Sequence, residues 1–92
     1  MNIQGFFWDE WNVVHIARHN VRPEEVEEIA FDDDPVVRKH EKVRFLYGKT
    51  IDGRYLFTVY VVKGPGLAWV ITSRDMDERE RRLYKSHARK GN

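Results

Sequence analysis

Two apolar runs on either side of Gly64-Pro65-Gly66 restrict the fold more than any other feature of this chain. Residues 54–62 carry apolar side chains on both phases of a two-residue repeat, with Leu56 and Val62 on one and Tyr55, Phe57, Val59 and Val61 on the other. A strand with that pattern is central and covered on both faces. The Gly-Pro-Gly turn reverses the chain, so Leu67 to Thr72 runs back as an antiparallel neighbour. Upstream, Val43, Phe45 and Tyr47 alternate with Arg44, Leu46 and Gly48. Asp52-Gly53 between the two runs is a strong hairpin signal. Val36-Val37 is a short strand candidate at the edge. The result is a meander of three or four antiparallel strands.

Helical patterns flank this sheet. Phe6, Phe7 and Trp8 make a brief strand that ends at Asp9, a good N-cap, with Glu10 in the first turn of a helix. Trp11, Val14 and Ala17 or Arg18 then recur at helical spacing, Val13 and Ile16 widen the apolar face, and the helix stops near His19-Asn20. Pro23 starts a second helix at its first position, with Val26, Ile29 and Ala30 as the buried stripe and Phe31 closing it. Asp32-Asp33-Asp34-Pro35 is a stop and a turn. The two helices form an αα-hairpin that lies across one face of the sheet. Asp75 or Asp77 caps a final helix that brings Met76, Glu80, Leu83, Tyr84 and His87 near one face. The class is α+β, with two N-terminal helices and a C-terminal helix packed on the sheet.

Ninety-two residues make one domain, 1–92, with a core near the lower size limit. The aromatic content of 3 Trp, 4 Tyr and 5 Phe argues for a folded chain rather than a disordered one. With no cysteine, disulfides and thiolate metal sites are excluded, which fits a reducing compartment. No apolar run reaches the ~20 residues that span a bilayer, and the N-terminus lacks the pattern of a signal peptide. The expectation is a cytoplasmic protein without a membrane partner. The net charge of +1 conceals a polarised distribution. Residues 24–34 are acidic, whereas Arg79, Arg81, Arg82, Lys85, Arg89 and Lys90 face a single Glu80 at the other end. Such polarity suits an anionic ligand on one side and a basic partner on the other, or two ordinary solvated helix faces.

An ordered series of residues runs through nearly the whole chain. Trp8-Asp9 open helix one, Asn12 lies within it, and Arg18-His19-Asn20-Val21 close it. Glu25 and Phe31-Asp32 follow, then Gly53-Arg54-Tyr55-Leu56, Val59-Tyr60, Ile71-Thr72-Ser73-Arg74, and Glu80 with Tyr84. The series resembles the BrnT family, the toxins of type II toxin–antitoxin pairs. That resemblance implies a RelE-like ribonuclease fold, metal-independent RNA cleavage that arrests growth, and neutralisation by a BrnA-type antitoxin. It also implies contact with operator DNA only through that antitoxin, and no cofactor. Family members usually carry Lys-His-Gly where this chain has Arg18-His19-Asn20, so the charge and the C-cap role are kept with altered geometry. Thr72 is a small departure in the serine-arginine strand end.

Metal-free RNA cleavage lets the 2′-hydroxyl attack the adjacent phosphate. It needs a proton acceptor, a proton donor for the leaving 5′-oxygen, and cations around the phosphorane. Arg74 stands where an apolar strand gives way to a helix and is the leading cation, unless it only pairs with Asp75, Asp77 or Glu80. Arg54, just after the Asp-Gly turn, is either a second cation or a plain hairpin residue. Antiparallel pairing through the Gly-Pro-Gly turn puts Arg54 and Arg74 at one end of the sheet, where they can form a shared phosphate clamp. His19 is the proton-transfer candidate by virtue of its near-neutral pKa, or else a helix C-cap. Glu80 and Tyr84, one helical turn apart, orient or protonate, or serve as an ion-pair partner and a core residue. His15 and His19 lie one turn apart without a third ligand nearby, which does not make a metal site. Tyr47, Tyr55, Tyr60 and Trp69 are assigned to the core. Arg18, Arg79, Arg81, Arg82 and Lys85 are the candidates for tracking RNA phosphates.

Two functional classes remain open. One is an endoribonuclease toxin silenced when its partner covers the cationic cleft. The other is a non-catalytic module that holds RNA or protein on the same scaffold.

Overall fold

The sheet is assembled around the central strand that the residue pattern requires. In order, the elements are β1 (Gly5–Phe7), α1 (Glu10–Ala17), α2 (Pro23–Ala30), β2 (Val36–His40), β3 (Val43–Lys49), β4 (Tyr55–Val62), β5 (Leu67–Asp75) and α3 (Glu78–Lys90). The computed structural model describes residues 3–32 and 34–90, with side chains as far as residue 87. Asp33, in the acidic stretch, lies outside the described residues, as do the side chains of Arg89 and Lys90.

The α+β class holds, and the sheet is larger and more mixed than expected. Five strands are ordered β1-β5-β4-β3-β2. The β2–β3, β3–β4 and β4–β5 pairs are antiparallel, whereas β1 pairs parallel to β5, Phe6 opposite Ala68. The parallel edge follows from where the N-terminus docks. The amides of Gln4 and Gly5 both donate to the carbonyl of Gly66, at 2.7 and 3.1 Å, so the segment is laid along β5 from its first residue.

Each face of the sheet has its own core. On the first face, Ile16 of α1, Val26, Ile29 and Ala30 of α2 and Val21 between them pack on Leu46, Leu56, Tyr60, Ala68 and Val70. On the second face, Met76 and Tyr84 close over Val36, Tyr47 and Phe57. β4 supplies both cores through its alternation, as expected of a strand with apolar residues on both phases. Here Tyr60 pairs with Val70 while Val59 pairs with Thr72, so Ile71 is an extra residue in β5. Such a bulge bends the strand and adds twist.

The helices begin as the capping residues dictate. The Asp9 carboxylate accepts from the Asn12 amide at 2.9 Å, and the Asn12 side chain accepts from the Asp9 amide at 2.9 Å. Asn12 also donates to the carbonyl of Phe7 at 3.1 Å and is fully buried. The buried stripe of α1 is thus Asn12 and Ile16, and Trp11 and Val14 turn outward at 52% and 50% exposure. Periodicity alone puts Trp11 and Val14 inside, but a polar residue with both its side-chain oxygen and nitrogen hydrogen-bonded takes the core position instead. Phe31 is likewise exposed. Asn20 ends the first helical segment at φ 59°, in the left-handed conformation of a C-cap.

Gly48 marks the tightest contact between layers. A Cβ there would lie 2.7 Å from the Cβ of Ile29 and 3.1 Å from its carbonyl oxygen. Neither atom is the end of a flexible side chain, so α2 would have to move off the sheet. Gly48→Ala is expected to destabilise the fold by about 1–3 kcal/mol. Urea unfolding checks this: the midpoint falls while the slope with denaturant stays the same.

Candidate functional site

Arg54 and Arg74 do arrive at the same end of the sheet, and strand geometry then separates them. Arg74 pairs with Phe57 and Asp75 with Leu56 in the β4–β5 ladder. Consecutive strand residues project to opposite faces. Arg74 therefore lies on the second face, its guanidinium 4.6 Å over the ring of Phe57. Arg54 reaches Asp75 and the loop between α1 and α2 on the first face. The shared phosphate clamp expected of these two arginines does not form, because the sheet stands between them.

All five N–H donors of Arg54 are already occupied. Its Nε donates to Asp75 at 2.7 Å, and one terminal nitrogen donates to Asp75 at 3.3 Å and to the carbonyl of His19 at 3.0 Å. The other donates to the carbonyl of Asn20 and, at 3.3 Å, to Glu25. Glu25 in turn accepts from the amide of Arg22 at the start of α2, at 3.0 Å. This arginine is a structural fork rather than an open cation. His19 belongs to the same cluster: its carbonyl is bound by Arg54, its ring meets that of His15 edge-on at 6.3 Å, and its charge acts on Asp75.

On the second face Leu83 and Tyr84 of α3 pack in one cluster with Val36, Tyr47, Tyr55 and Phe57, and Phe45 and Val59 stay half-buried. Between α3 and the β2–β3 edge lies a groove of about 460 Å³ lined by Arg38, Tyr47, Asp77, Arg79, Glu80 and Leu83. Arg74 borders it. Two parallel hydrogen bonds of 2.8 and 2.9 Å join its guanidinium to both oxygens of Glu80. Glu80 also accepts from the amide of Asp77 at 2.8 Å while its own amide donates to the Asp77 carboxylate at 2.9 Å, a capping box at the start of α3. Burial pushes the Tyr47 phenol above its usual pKa, the charges of Glu80 and Asp77 add to that rise, and those of Arg38 and Arg74 oppose it. One phenol thus senses two carboxylates and two guanidiniums at once.

The other expected site residues are distributed as follows. Arg79 lines the groove. Arg81, Arg82 and Lys85 lie on the other flank of α3, where Arg81 and Lys85 stand 4.7 and 5.4 Å from the ring of Tyr55 and Arg82 pairs with Glu78 at 3.6 Å. Tyr84 is 7% exposed and packs edge-on against Tyr55, with its phenol pKa raised by burial. It packs in the second core, as Tyr47 does at 6% exposure, and of the two only Tyr47 lines the groove. Ser73 is fully buried with its hydroxyl 2.7 Å from that of Thr58. Arg18 lies far from these groups, in a groove on α1 with Glu10, Trp11, Val14 and His15. There the ring of Trp11 stacks on His15 at 4.8 Å and on Trp69 at 5.1 Å. Arg38 is not among the residues the sequence singles out, whereas Tyr47 is buried in the core as expected and also lines the groove. The available signal was the strand alternation that sends Val36, Arg38 and His40 to one face.

Among the described residues no group of three or more His, Cys, Asp or Glu side chains is placed to hold a metal ion, and no helix is long and apolar enough to cross a membrane. No protein-family model matches the chain, and no curated protein matches it significantly.

Arg54 is expected to govern stability and its pH dependence. Lys in its place keeps the charge but loses the planar fork, so Arg54→Lys should cost about 1–3 kcal/mol in urea unfolding. The hydrogen bond from Arg54 holds the Asp75 carboxyl below its usual pKa. A depressed carboxylate contributes stability above about pH 4, and that contribution is lost as pH falls through the lowered value. Asp75→Asn should therefore flatten the loss of stability below about pH 4. The effect stays under about 1 kcal/mol because the pair is partly solvated. A thermal-unfolding series across acid pH, wild type beside Asp75→Asn, reads the difference.

Proposed function

We propose that the chain is an RNA-cleaving toxin of the BrnT kind on a RelE-like scaffold, held inactive when a BrnA-type antitoxin covers its second face. The observation that carries this reading is the groove beside α3, lined by Arg38, Tyr47, Arg79 and Glu80, with Arg74 bound to Glu80. The ordered series from Trp8 to Tyr84 supports it. Two guanidiniums in the groove and a third held on Glu80 suit a phosphate, since each planar fork can meet two of its oxygens.

In the proposed reaction Arg74 turns from Glu80 to the scissile phosphate of bound RNA. The freed Glu80 carboxylate accepts the proton of the 2′-hydroxyl, whose oxygen attacks phosphorus. The bond from phosphorus to the 5′-oxygen breaks, and Tyr47 supplies the proton that oxygen takes. The products are a 2′,3′-cyclic phosphate and a 5′-hydroxyl end, and Arg38 and Arg79 neutralise the charge of the phosphorane. Growth arrest follows from loss of RNA, and operator DNA is reached only through the antitoxin.

A second reading, a module that binds RNA or protein without cleaving it, is favoured by one feature. Glu80 already holds both terminal nitrogens of Arg74, and no histidine lines the groove.

Induced expression with growth followed and RNA integrity read from the same cells separates the two. Wild type is expected to arrest growth and degrade RNA. Arg74→Ala should lose about 10²–10³ in cleavage rate, as the removal of one transition-state donor does, while the chain stays folded with an unfolding midpoint lowered only by loss of the half-exposed pair with Glu80. Unimpeded growth with intact RNA from folded wild-type protein would establish the binding module instead.

A further inference from the structure

A second cationic groove lies at the opposite end of the sheet, formed by residues far apart in sequence. Lys39, Lys42, Arg44 and Lys63 line a cavity of about 480 Å³ where the β2–β3 and β4–β5 turns come together, with Val62 exposed beside them. Glu41 is the one carboxylate in its lining. None of the four cations makes an ion pair with a described residue. Lys63 rests 5.6 Å from the ring of Trp69, and Arg44 makes only a 3.5 Å contact to the carbonyl of Val43.

The β2–β3 register makes this arrangement unfavourable in the isolated chain. Lys39 stands directly opposite Arg44, and like charges facing each other across an antiparallel pair are destabilising. Glu41, in the turn between them, is held at φ 56°, a left-handed conformation that suits glutamate poorly. Repulsion that no ion pair among the described residues relieves is lowered when an anion enters the groove.

The groove is joined to the one beside α3 through the edge strand. Arg38 lines the first and Lys39 the second, as adjacent residues of β2 on opposite faces. Lys39 follows Arg38 by one residue, ~3.3 Å along the strand, so only the edge of the sheet stands between the two grooves. Cations on both faces of an edge strand oppose the addition of an extended peptide, whereas a flexible polyanion needs only charge.

We infer that Lys39, Lys42, Arg44 and Lys63 bind the phosphate backbone of single-stranded RNA that extends from the groove beside α3 across the β2 edge. The inference takes its ligand from the proposed function but does not require cleavage.

The test uses the full chain carrying Arg74→Ala, so that RNA stays intact, and a labelled single-stranded RNA oligonucleotide long enough to span both grooves. Fluorescence anisotropy is followed across a salt series. Each phosphate contact contributes about 0.7 to the slope of log K against log salt on a single strand, or about five-fold in affinity near 0.1 M salt. Lys39→Ala, Lys42→Ala and Lys63→Ala together should lower the slope by about 2. Glu41→Gln should raise affinity. Unchanged slopes in the triple variant, or no RNA binding by the parent chain, overturn the inference. So does a polyglutamate probe that loses binding in the triple variant while RNA does not, which would assign the groove to an acidic protein. A chain that never cleaves RNA yet shows the lysine-dependent slope sinks the toxin reading and keeps this one. A nuclease indifferent to these lysines does the reverse.

Discussion

The fork of Arg54 holds together parts of the chain that have no other reason to meet. It leaves β4 at its first turn and binds the end of β5 through Asp75, the end of the first helical segment through the carbonyls of His19 and Asn20, and the start of α2 through Glu25. Two of those partners are helix-terminal carbonyls that lack an acceptor role within the helix. A guanidinium is suited to this task because its five donors lie in one plane with fixed directions. The αα-hairpin is thereby set at one angle on the first face, and Gly48 lets α2 settle against β3 at backbone distance. A residue of a type that sequence reasoning assigns to chemistry is spent on architecture.

That tight first face leaves the second face to do something else. Ten buried residues from both helices, the loop between them and three strands fill the first core, whereas among the described residues α3 brings Leu83 and Tyr84, with Met76 just before it, to the second. A helix so poor in apolar residues cannot cover a five-stranded sheet, and its N-terminal turn is fixed instead by polar contacts of Asp77 and Glu80. The bidentate Arg74–Glu80 pair joins that turn to the end of β5. The same pair that docks α3 therefore borders the groove. Its exchange for a phosphate would release Glu80 without undoing the capping box, since Glu80 still accepts from the Asp77 amide.

Alternation and turn chemistry made the central strands, the αα-hairpin and the cap of α3 legible in the sequence. Val26, Ile29 and Ala30 are buried as their spacing requires, and Asn20 takes the left-handed conformation expected of it. What escaped depended on pairing between distant segments. The parallel edge strand is set by two amides docking on Gly66, and nothing in Gly5-Phe6-Phe7 records the direction. Trp11 and Val14 have the spacing of a buried stripe, yet Asn12 with its bonds to Asp9 and Phe7 takes the core. The faces of Arg54 and Arg74 could be assigned only after the register put Arg74 opposite Phe57 and Asp75 opposite Leu56. The candidate groove was half legible: Arg74, Glu80 and Arg79 were found, and Arg38 and the place of Tyr47 in the groove required the β2–β3 ladder.

The same dependence on register explains why charge along the sequence misrepresents charge in the fold. The basic run in α3 looks like the cationic surface, but Arg82 is paired with Glu78 and Arg81 and Lys85 rest on Tyr55. Lys39, Lys42, Arg44 and Lys63 are interspersed among apolar residues and Glu41, with no run to notice, and the two hairpin ends bring them into one groove. Contacts within α3 and with Tyr55 engage the charges that are close in sequence, while strand pairing concentrates those that are not. The electrostatic field an approaching polyanion meets is thus set by topology more than by composition. A chain of net charge +1 can in this way present two separate cationic grooves while its acidic helix α2 packs on the first face.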